Sequence, residues 1–426
     1  MRAPGIHRFR ILLSLLLLFV CELSKPVAGQ LGERVLYAFE ECGEPDGALV
    51  ADLRGNLYGT TTRGGGYGQG CVFELSRTGS GWTESVLWNF NGPDGSNPTA
   101  ALIFDKAGNL YGMGGGGDYN AGEVFELSPS GGRWSETVLH SFGSGNDGWD
   151  PQSNLIFDNA GNLYGTTENG GTRRGGTIFK LSPGPDGWSE TILYTFPASI
   201  AGPDGEGPIG GVVIDRNGAL YGVTEFGGAN GDGAAYELIP HGSGYKEKII
   251  HNFSIYDGLE PGSGLTIGPG PALYGTTYFG GDTNACPYVG CGLVFKLAKD
   301  AEGNWTETVL HEMSGTDGNY TVGPVVFDHA GRLYAAADSG GIMGMGSVFM
   351  LTPTLNGPWT ETILHLFDFK FPDGKDGRSP YAGVISGGGK VFGTTVGGGI
   401  HEAGIVFEIT PPTAESSLDS PAAPRR

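Results

Sequence analysis

Gly161-Asn162-Leu163-Tyr164-Gly165-Thr166-Thr167 is one of seven related segments, and their spacing decides the fold. The others begin at Leu57-Tyr58-Gly59-Thr60, Leu110-Tyr111-Gly112, Leu220-Tyr221-Gly222, Leu273-Tyr274-Gly275, Leu333-Tyr334-Ala335 and Val391-Phe392-Gly393. From Tyr58 to Phe392 the aromatic positions lie 53, 53, 57, 53, 60 and 58 residues apart. Self-similarity at a near-constant period of this length marks an array of supersecondary units. In unit three, Ser153 to Asp158 predicts a first strand, Asn159-Ala160-Gly161 a tight turn, and Asn162 to Thr167 a second strand. The glycine-rich stretch Asn169 to Gly176 leads to a third strand, Thr177 to Ser182. Gly184-Pro185-Asp186-Gly187 then turns into a fourth, Trp188 to Phe196. Short β-prone runs bounded by Gly, Pro, Asn and Asp read as strands joined by tight turns. Four such antiparallel strands make one propeller blade. The expected fold is all-β, a seven-bladed β-propeller with four antiparallel strands per blade.

The chain ends support closure of the ring. Unit seven supplies three strands, Tyr381 to Ile385, Lys390 to Thr395 and Gly404 to Ile409, and then runs into Pro411-Pro412. The fourth strand reappears at the other end, where Glu33-Arg34-Val35-Leu36-Tyr37-Ala38-Phe39 matches Glu136-Thr137-Val138-Leu139-His140-Ser141-Phe142. The N-terminal strand is expected to complete the last blade, which leaves no open sheet edge.

Glycine and proline, 80 and 26 of 426 residues, approach a low-complexity composition. Their fixed place in each unit argues for order. The net charge of -21 excludes a nucleic-acid partner, because phosphate binding needs a basic surface. Residues 1–29 read as a signal peptide: Arg2, His7, Arg8 and Arg10 precede an apolar Ile11 to Val20, and Val27-Ala28-Gly29 offers a cleavage site. Its removal takes four basic residues and one acid, so -21 becomes -24 in the mature chain. The propeller is expected over 30–412, with a disordered tail at 413–426 rich in Ser, Pro and Ala. No membrane-spanning segment is expected in the mature chain. An exported, monomeric protein follows, in the periplasm, at the cell surface or outside the cell. Export allows disulfides. Cys286 and Cys291 read as a local staple and Cys42 with Cys71 as a second pair. The spacing lacks the paired knuckles of a zinc site.

Most recurring residues have structural readings. The Leu-Tyr pairs would pack between neighbouring blades, and Trp82, Trp134, Trp188, Trp305 and Trp359 would cover blade edges. Asp52, Asp105, Asp158, Asp215 and Asp328 would bond the amides of their own turns. His140, His251, His311 and His365 recur on fourth strands, which again speaks for structure, with metal binding as the alternative. An Asp-Gly pair precedes each unit: Asp46, Asp94, Asp147, Asp204, Asp257, Asp317 and Asp373. The favoured reading is a turn; the alternative is a carboxylate ring at the channel mouth that attracts a hard cation such as Ca²⁺. The glycine-rich loops precede no helix and so make no phosphate cradle. Breaks in the pattern supply the ligand-binding candidates Arg173, Arg174, Glu225, Phe226, Tyr278, Phe279, His401 and Glu402, which would converge on one loop face and suit a glycan or a protein partner.

The order of elements resembles the NHL type of β-propeller. More closely, units such as Gly161 to Thr167, Gly70-Cys71-Val72-Phe73-Glu74-Leu75 and Trp134 to Leu139 resemble the GloVer tandem repeat of bacterial surface or exported proteins. That resemblance implies an extracellular location and carries no catalytic residues to this chain. Neither a nucleophile elbow nor a His-Glu-x-x-His motif is present. The expectation is an exported, non-catalytic binding or interaction module. The alternative is a propeller lyase or hydrolase acting on a carbohydrate or small molecule at the channel mouth.

Overall fold

The computed structural model describes residues 32–412 apart from 80, 200–201, 243, 356 and 369–374. The expected leader over 1–29 and tail over 413–426 lie outside the described residues. Seven four-stranded antiparallel sheets form the seven blades of a propeller. In blade three the strands are Ile156–Phe157, Leu163–Thr167, Arg174–Gly184 and Gly187–Pro197, paired in that order. The first strand is shorter than the sequence suggests. Only Ile156 and Phe157 pair across to Tyr164 and Leu163. Upstream, the Ser153 hydroxyl accepts from the Thr166 amide, and Asn154 Oδ1 accepts the Ala101 amide of blade two. Those two residues have turned out of the ladder, towards the channel and the neighbouring blade. Among the described residues no helix is long and apolar enough to cross a membrane.

The ring closes as the chain ends foretell. Blade seven runs Glu33–Ala38, Ile405–Ile409, Lys390–Thr395 and Val384–Gly387, with Glu33 opposite Ile409 and Ala38 opposite Ile405.

The period-2 alternation of the second strand places the core. Leu163 packs in the cluster between blades two and three, and the adjacent Tyr164 packs in the cluster between blades three and four. Each junction has one such cluster, so the apolar interior is a ring of wedges and not a single globule. The tryptophans belong to these wedges: Trp188 lies edge-on to Tyr111 of the preceding blade at 6.2 Å, and Trp305 to Tyr221 at 5.8 Å. Gly165 is required by close approach, since a Cβ there would sit 2.7 Å from the Phe179 ring. Asp158 accepts from the Ala160 and Asn162 amides, the Asn162 side chain and the Tyr164 hydroxyl, which ties the first turn to the core.

Every third-to-fourth strand pairing carries a β-bulge at the same place, as between Val124 and Phe125. A bulge re-aims the side chains that follow. Here Leu139 packs with the core of the junction while His140 turns towards the loop after its strand.

Two disulfides are formed, Cys42–Cys71 and Cys286–Cys291. The first joins the segment after the N-terminal strand to the third strand of blade one, over 29 residues of sequence. A loop of that length restricts the unfolded chain by about 3–4 kcal/mol. Cys71→Ser is therefore expected to lower stability by about that amount in urea melts, and reducing agent should have no further effect of that size on the variant.

Candidate functional site

The loops from fourth to first strand and from second to third strand gather on one face. Short ladders join them: Cys42–Gly43 with Arg63–Gly64, Gly205–Glu206 with Phe226–Gly227, and Gly377–Arg378 with Gly397–Gly398. At the centre of this face lies a cavity of about 700 Å³, continued by a smaller one of about 230 Å³.

Two sets of equivalent positions line it. One lies four residues after the repeated tyrosine of the second strand and includes Glu168, Glu225, Tyr278 and Asp338. The other lies four residues ahead of the first-strand residue that pairs with the repeated aromatic and includes Asp46, Gln152 and Tyr381. The backbone holds the first set in place: the Glu168 amide donates to Asp150 O at 3.0 Å, Glu225 to Gly207 O at 2.9 Å and Tyr278 to Glu260 O at 3.0 Å. Carboxylates from blades one, three, four, five and six thus meet there as Asp46, Glu168, Glu225, Glu260 and Asp338. Two tyrosines line the same space, Tyr278 in the smaller cavity and Tyr381 in both. Tyr278 stacks flat on Tyr320 at 4.8 Å and 8°, and Phe279 stands edge-on to both.

The carboxylates disfavour one another's charge. Burial, with Glu168 and Glu260 nearby, pushes Glu225 up to about 7. Burial, with Glu44 and Asp338 nearby, pushes Asp46 to about 6 against the opposing pull of Thr62 and Arg63. Glu168 is raised by burial and Asp150, Glu260 by burial and Asp232, and Asp338 by burial. Arg63 is engaged by Glu44 at 3.0 Å. The site is therefore a set of half-buried carboxyls all raised above their ordinary values, Glu225 to about 7 and Asp46 to about 6, beside flat phenol rings. It can donate and accept hydrogen bonds and stack on a ring, or surrender protons to a cation.

Of the candidates read from sequence, Glu225 and Tyr278 face this cavity, and Phe279 supports Tyr278 from behind. Phe226 pairs with Glu206 in a short ladder beside it. Arg173 lies outside and is spent on Asp204 at 2.9 Å, and Arg174 is exposed with φ 69°. His401 and Glu402 are also peripheral, beside Glu40 at 3.9 Å and Arg378 at 3.4 Å. The convergence expected of all eight therefore holds for part of the set.

The Asp-Gly carboxylates do not ring the channel. Asp94 accepts from the Asn91 amide, Asp147 from Gly143, Ser144 and Gly148, Asp257 from Ser254, and Asp317 from Ser314, so each caps its own turn. Asp204 is held by Arg173. Asp46 alone of the described members lines the mouth, because it sits four residues ahead of the first-strand residue that pairs with the repeated tyrosine, where the others sit nine ahead. Asp373 lies outside the described residues. Asp376 occupies the matching place in blade seven, accepting the Gly377 amide and facing His365 at 3.1 Å.

These turn aspartates belong to a second recurring feature, at the blade junctions. Each fourth strand carries a glutamate: Glu33, Glu84, Glu136, Glu190, Glu247, Glu307 or Glu361. Burial raises all seven, Glu190 and Glu361 to about 7. The four recurring histidines stand beside the turn aspartates, His140 by Asp147 at 3.5 Å, His251 by Asp257 at 3.4 Å and His311 by Asp317 at 3.2 Å.

Comparison with known proteins agrees with this architecture. Residues 26–213 and 208–419 each match the model of the Gloeobacter/Verrucomicrobia repeat. No protein of curated function matches the sequence. Among solved structures, a Bacteroides uniformis protein described as a candidate 6-phosphogluconolactonase superposes with a TM-score of 0.51 at 15% identity, over 79% of this chain and 88% of its own. A candidate gluconolactonase gives 0.43 at 14% identity, over 80% and 95%. A candidate glucose dehydrogenase of Thermus thermophilus gives 0.42 at 17%, over 78% and 100%. At 15% identity the likeness to the Bacteroides uniformis protein is one of fold.

Proposed function

The chain belongs to the Gloeobacter/Verrucomicrobia repeat family, and from that premise we propose that it is an exported, non-catalytic binding module that takes a carbohydrate at the channel mouth. The observation that carries this reading is the meeting of carboxyls and phenol rings around two adjoining cavities: Asp46, Glu168 and Asp338 line the larger, Glu260 and Tyr278 the smaller, Glu225 and Tyr381 both, and Tyr320 stacks on Tyr278. A sugar ring presents an apolar C–H face to a phenol and hydroxyls around its edge. Glu225, raised to about 7, can meet those hydroxyls as donor or as acceptor, and the ionised carboxylates accept from them. The leader-like residues 1–29 and the two disulfides support export.

A thermal-shift scan of the mature protein against bacterial and plant glycans tests the reading. A ligand confined to the folded state raises Tm by mass action. At least one glycan is expected to raise Tm in the wild type and to lose that effect in Tyr278→Ala. A flat response to the whole panel would overturn it. The same scan with Ca²⁺ and EDTA tests the cation reading of the ring, since oxygen ligands suit Ca²⁺. Loss of a Ca²⁺ shift in Asp46→Asn would assign that cation to the mouth.

A second reading, an enzyme acting on a carbohydrate, is favoured by one observation. Glu225, held near 7 beside further carboxylates, meets the requirement for a general acid at neutral pH. Turnover of a bound glycan, abolished in Glu225→Gln with binding retained, would select it.

A further inference from the structure

We propose that two blade junctions are binding sites for a divalent transition metal ion, one built from His140, Asp147 and Glu190 and the other from His311, Asp317 and Glu361. In each, one ligand atom from every residue lies within 4.8 Å of the other two. His140 Nε2 stands 3.5 Å from both Asp147 Oδ2 and Glu190 Oε1. His311 Nε2 stands 3.2 Å from Asp317 Oδ2 and 3.5 Å from Glu361 Oε1. Zinc binds imidazole nitrogen and carboxylate oxygen at about 2.0–2.2 Å, so the edge of its tetrahedron is about 3.3–3.6 Å. Three of the four separations, each 3.5 Å, match that edge, and the fourth, His311 to Asp317, is a hydrogen bond at 3.2 Å. His140 Nε2, Glu190 Oε1 and Glu361 Oε1 are buried without a hydrogen-bond partner.

The junction between blades three and four shows what such a pair of carboxylates takes. There Tyr194 replaces the histidine, and the chain supplies the cation itself. Arg173 donates to Asp204 at 2.9 Å and acts electrostatically on Glu247, the counterpart of Glu190. At the two proposed sites an imidazole nitrogen stands where a metal ligand would. The side chains are 6–19% exposed at the first site and 12–22% at the second. The related cluster of Glu33, His365 and Asp376 is closed, with His365 and Asp376 each 1% exposed. The site between blades four and five has His251, Asp257 and Glu307, without three ligand atoms so close together.

Each ion would bridge two blades, since the histidine and aspartate flank one junction from the earlier blade and the glutamate comes from the next. The test uses the whole protein, stripped with EDTA, returned to excess Zn²⁺, desalted and assayed for bound zinc by atomic emission. Two zinc ions per chain are expected, one in His140→Gln, one in His311→Gln and none in the double variant. His251→Gln and the channel-mouth variant Asp46→Asn should retain two. Should His140→Gln fail to fold, Glu190→Gln reads the same site and should also hold one. Absence of retained zinc in the folded wild type, or a stoichiometry indifferent to the substitutions at His140, His311 and Glu190, would overturn the proposal. Because the channel mouth is not involved, either result leaves the carbohydrate reading to its own test.

Discussion

Glu123→Gln should stabilise the protein at pH 7 by about 3 kcal/mol. Glu123 opens the third strand of blade two, is 0% exposed, and neither of its carboxyl oxygens has a hydrogen-bond partner. Its counterparts on the other third strands are Cys71, Thr177, Ala234, Leu293, Ser347 and Ile405, all smaller or apolar. Blade two makes room for the longer side chain by placing Gly114 opposite it, where five of the other blades have a threonine and blade six an alanine. Burial, with Glu136, Asp94 and Asp118 nearby, pushes the carboxyl from its ordinary 4.5 to about 9. Below pH 4.5 it is protonated folded and unfolded alike, and contributes no pH dependence. Between 4.5 and 9 the unfolded chain ionises while the folded chain does not, so stability falls by about 1.4 kcal/mol per pH unit. The glutamine variant lacks that loss. Urea melts at pH 5, 7 and 8.5 should show the two proteins diverging as pH rises, with the variant the more stable. Parallel curves over that range would contradict the assignment.

Phe39→Ala should lower stability by about 3–5 kcal/mol, although residue 39 stands near the N-terminal end of the described chain. Its ring is fully buried in the wedge between blades seven and one, edge-on to Phe73 at 5.0 Å and to Tyr37 at 5.3 Å. Its amide donates to Gly404 O at 3.0 Å. Phe142 and Phe179 hold the equivalent relation, 5.1 Å apart, in the middle of the chain. A closed ring makes the first strand as integral as any other, so Phe39→Ala and Phe142→Ala should shift the urea midpoint comparably. A frayed or dispensable N-terminal strand would instead leave the midpoint of Phe39→Ala near that of the wild type.

The architecture was legible because two periods coincide. Six Leu-Tyr segments and Val391-Phe392 count the blades, and Leu163 and Tyr164 must point to opposite junctions once they lie on a strand. The clasp was legible because Glu33 to Phe39 repeats Glu136 to Phe142 while unit seven lacks its fourth strand. The Asp-Gly motif misled in two blades, since identical dipeptides occur at different distances from the first strand. Counting back nine residues from Val50 and Ile385 reaches Glu41 and Asp376, not Asp46 and Asp373. The prolines five ahead of the first strand (Pro45, Pro98, Pro151, Pro208, Pro261 and Pro380) were the better ruler. Glu225 and Tyr278 stood out as departures from their repeat. Glu168, Glu260, Asp338, Tyr320 and Tyr381 did not, because each is unremarkable alone and gains meaning only when the ring brings positions from different blades to one mouth. Arg173 stood out for the opposite reason: its charge is conspicuous in sequence but is consumed at a junction.

A sevenfold repeat with one channel separates two kinds of binding protein by number. Isothermal titration of the mature protein with the glycan giving the largest thermal shift measures that number directly. The account predicts one site per chain, weakened at least about tenfold in Tyr278→Ala, the scale of an aromatic platform contact of about 1.4 kcal/mol. Several equivalent sites per chain, or full affinity in both Tyr278→Ala and Glu225→Gln, would place the ligand on the repeats themselves and contradict a site at the channel mouth.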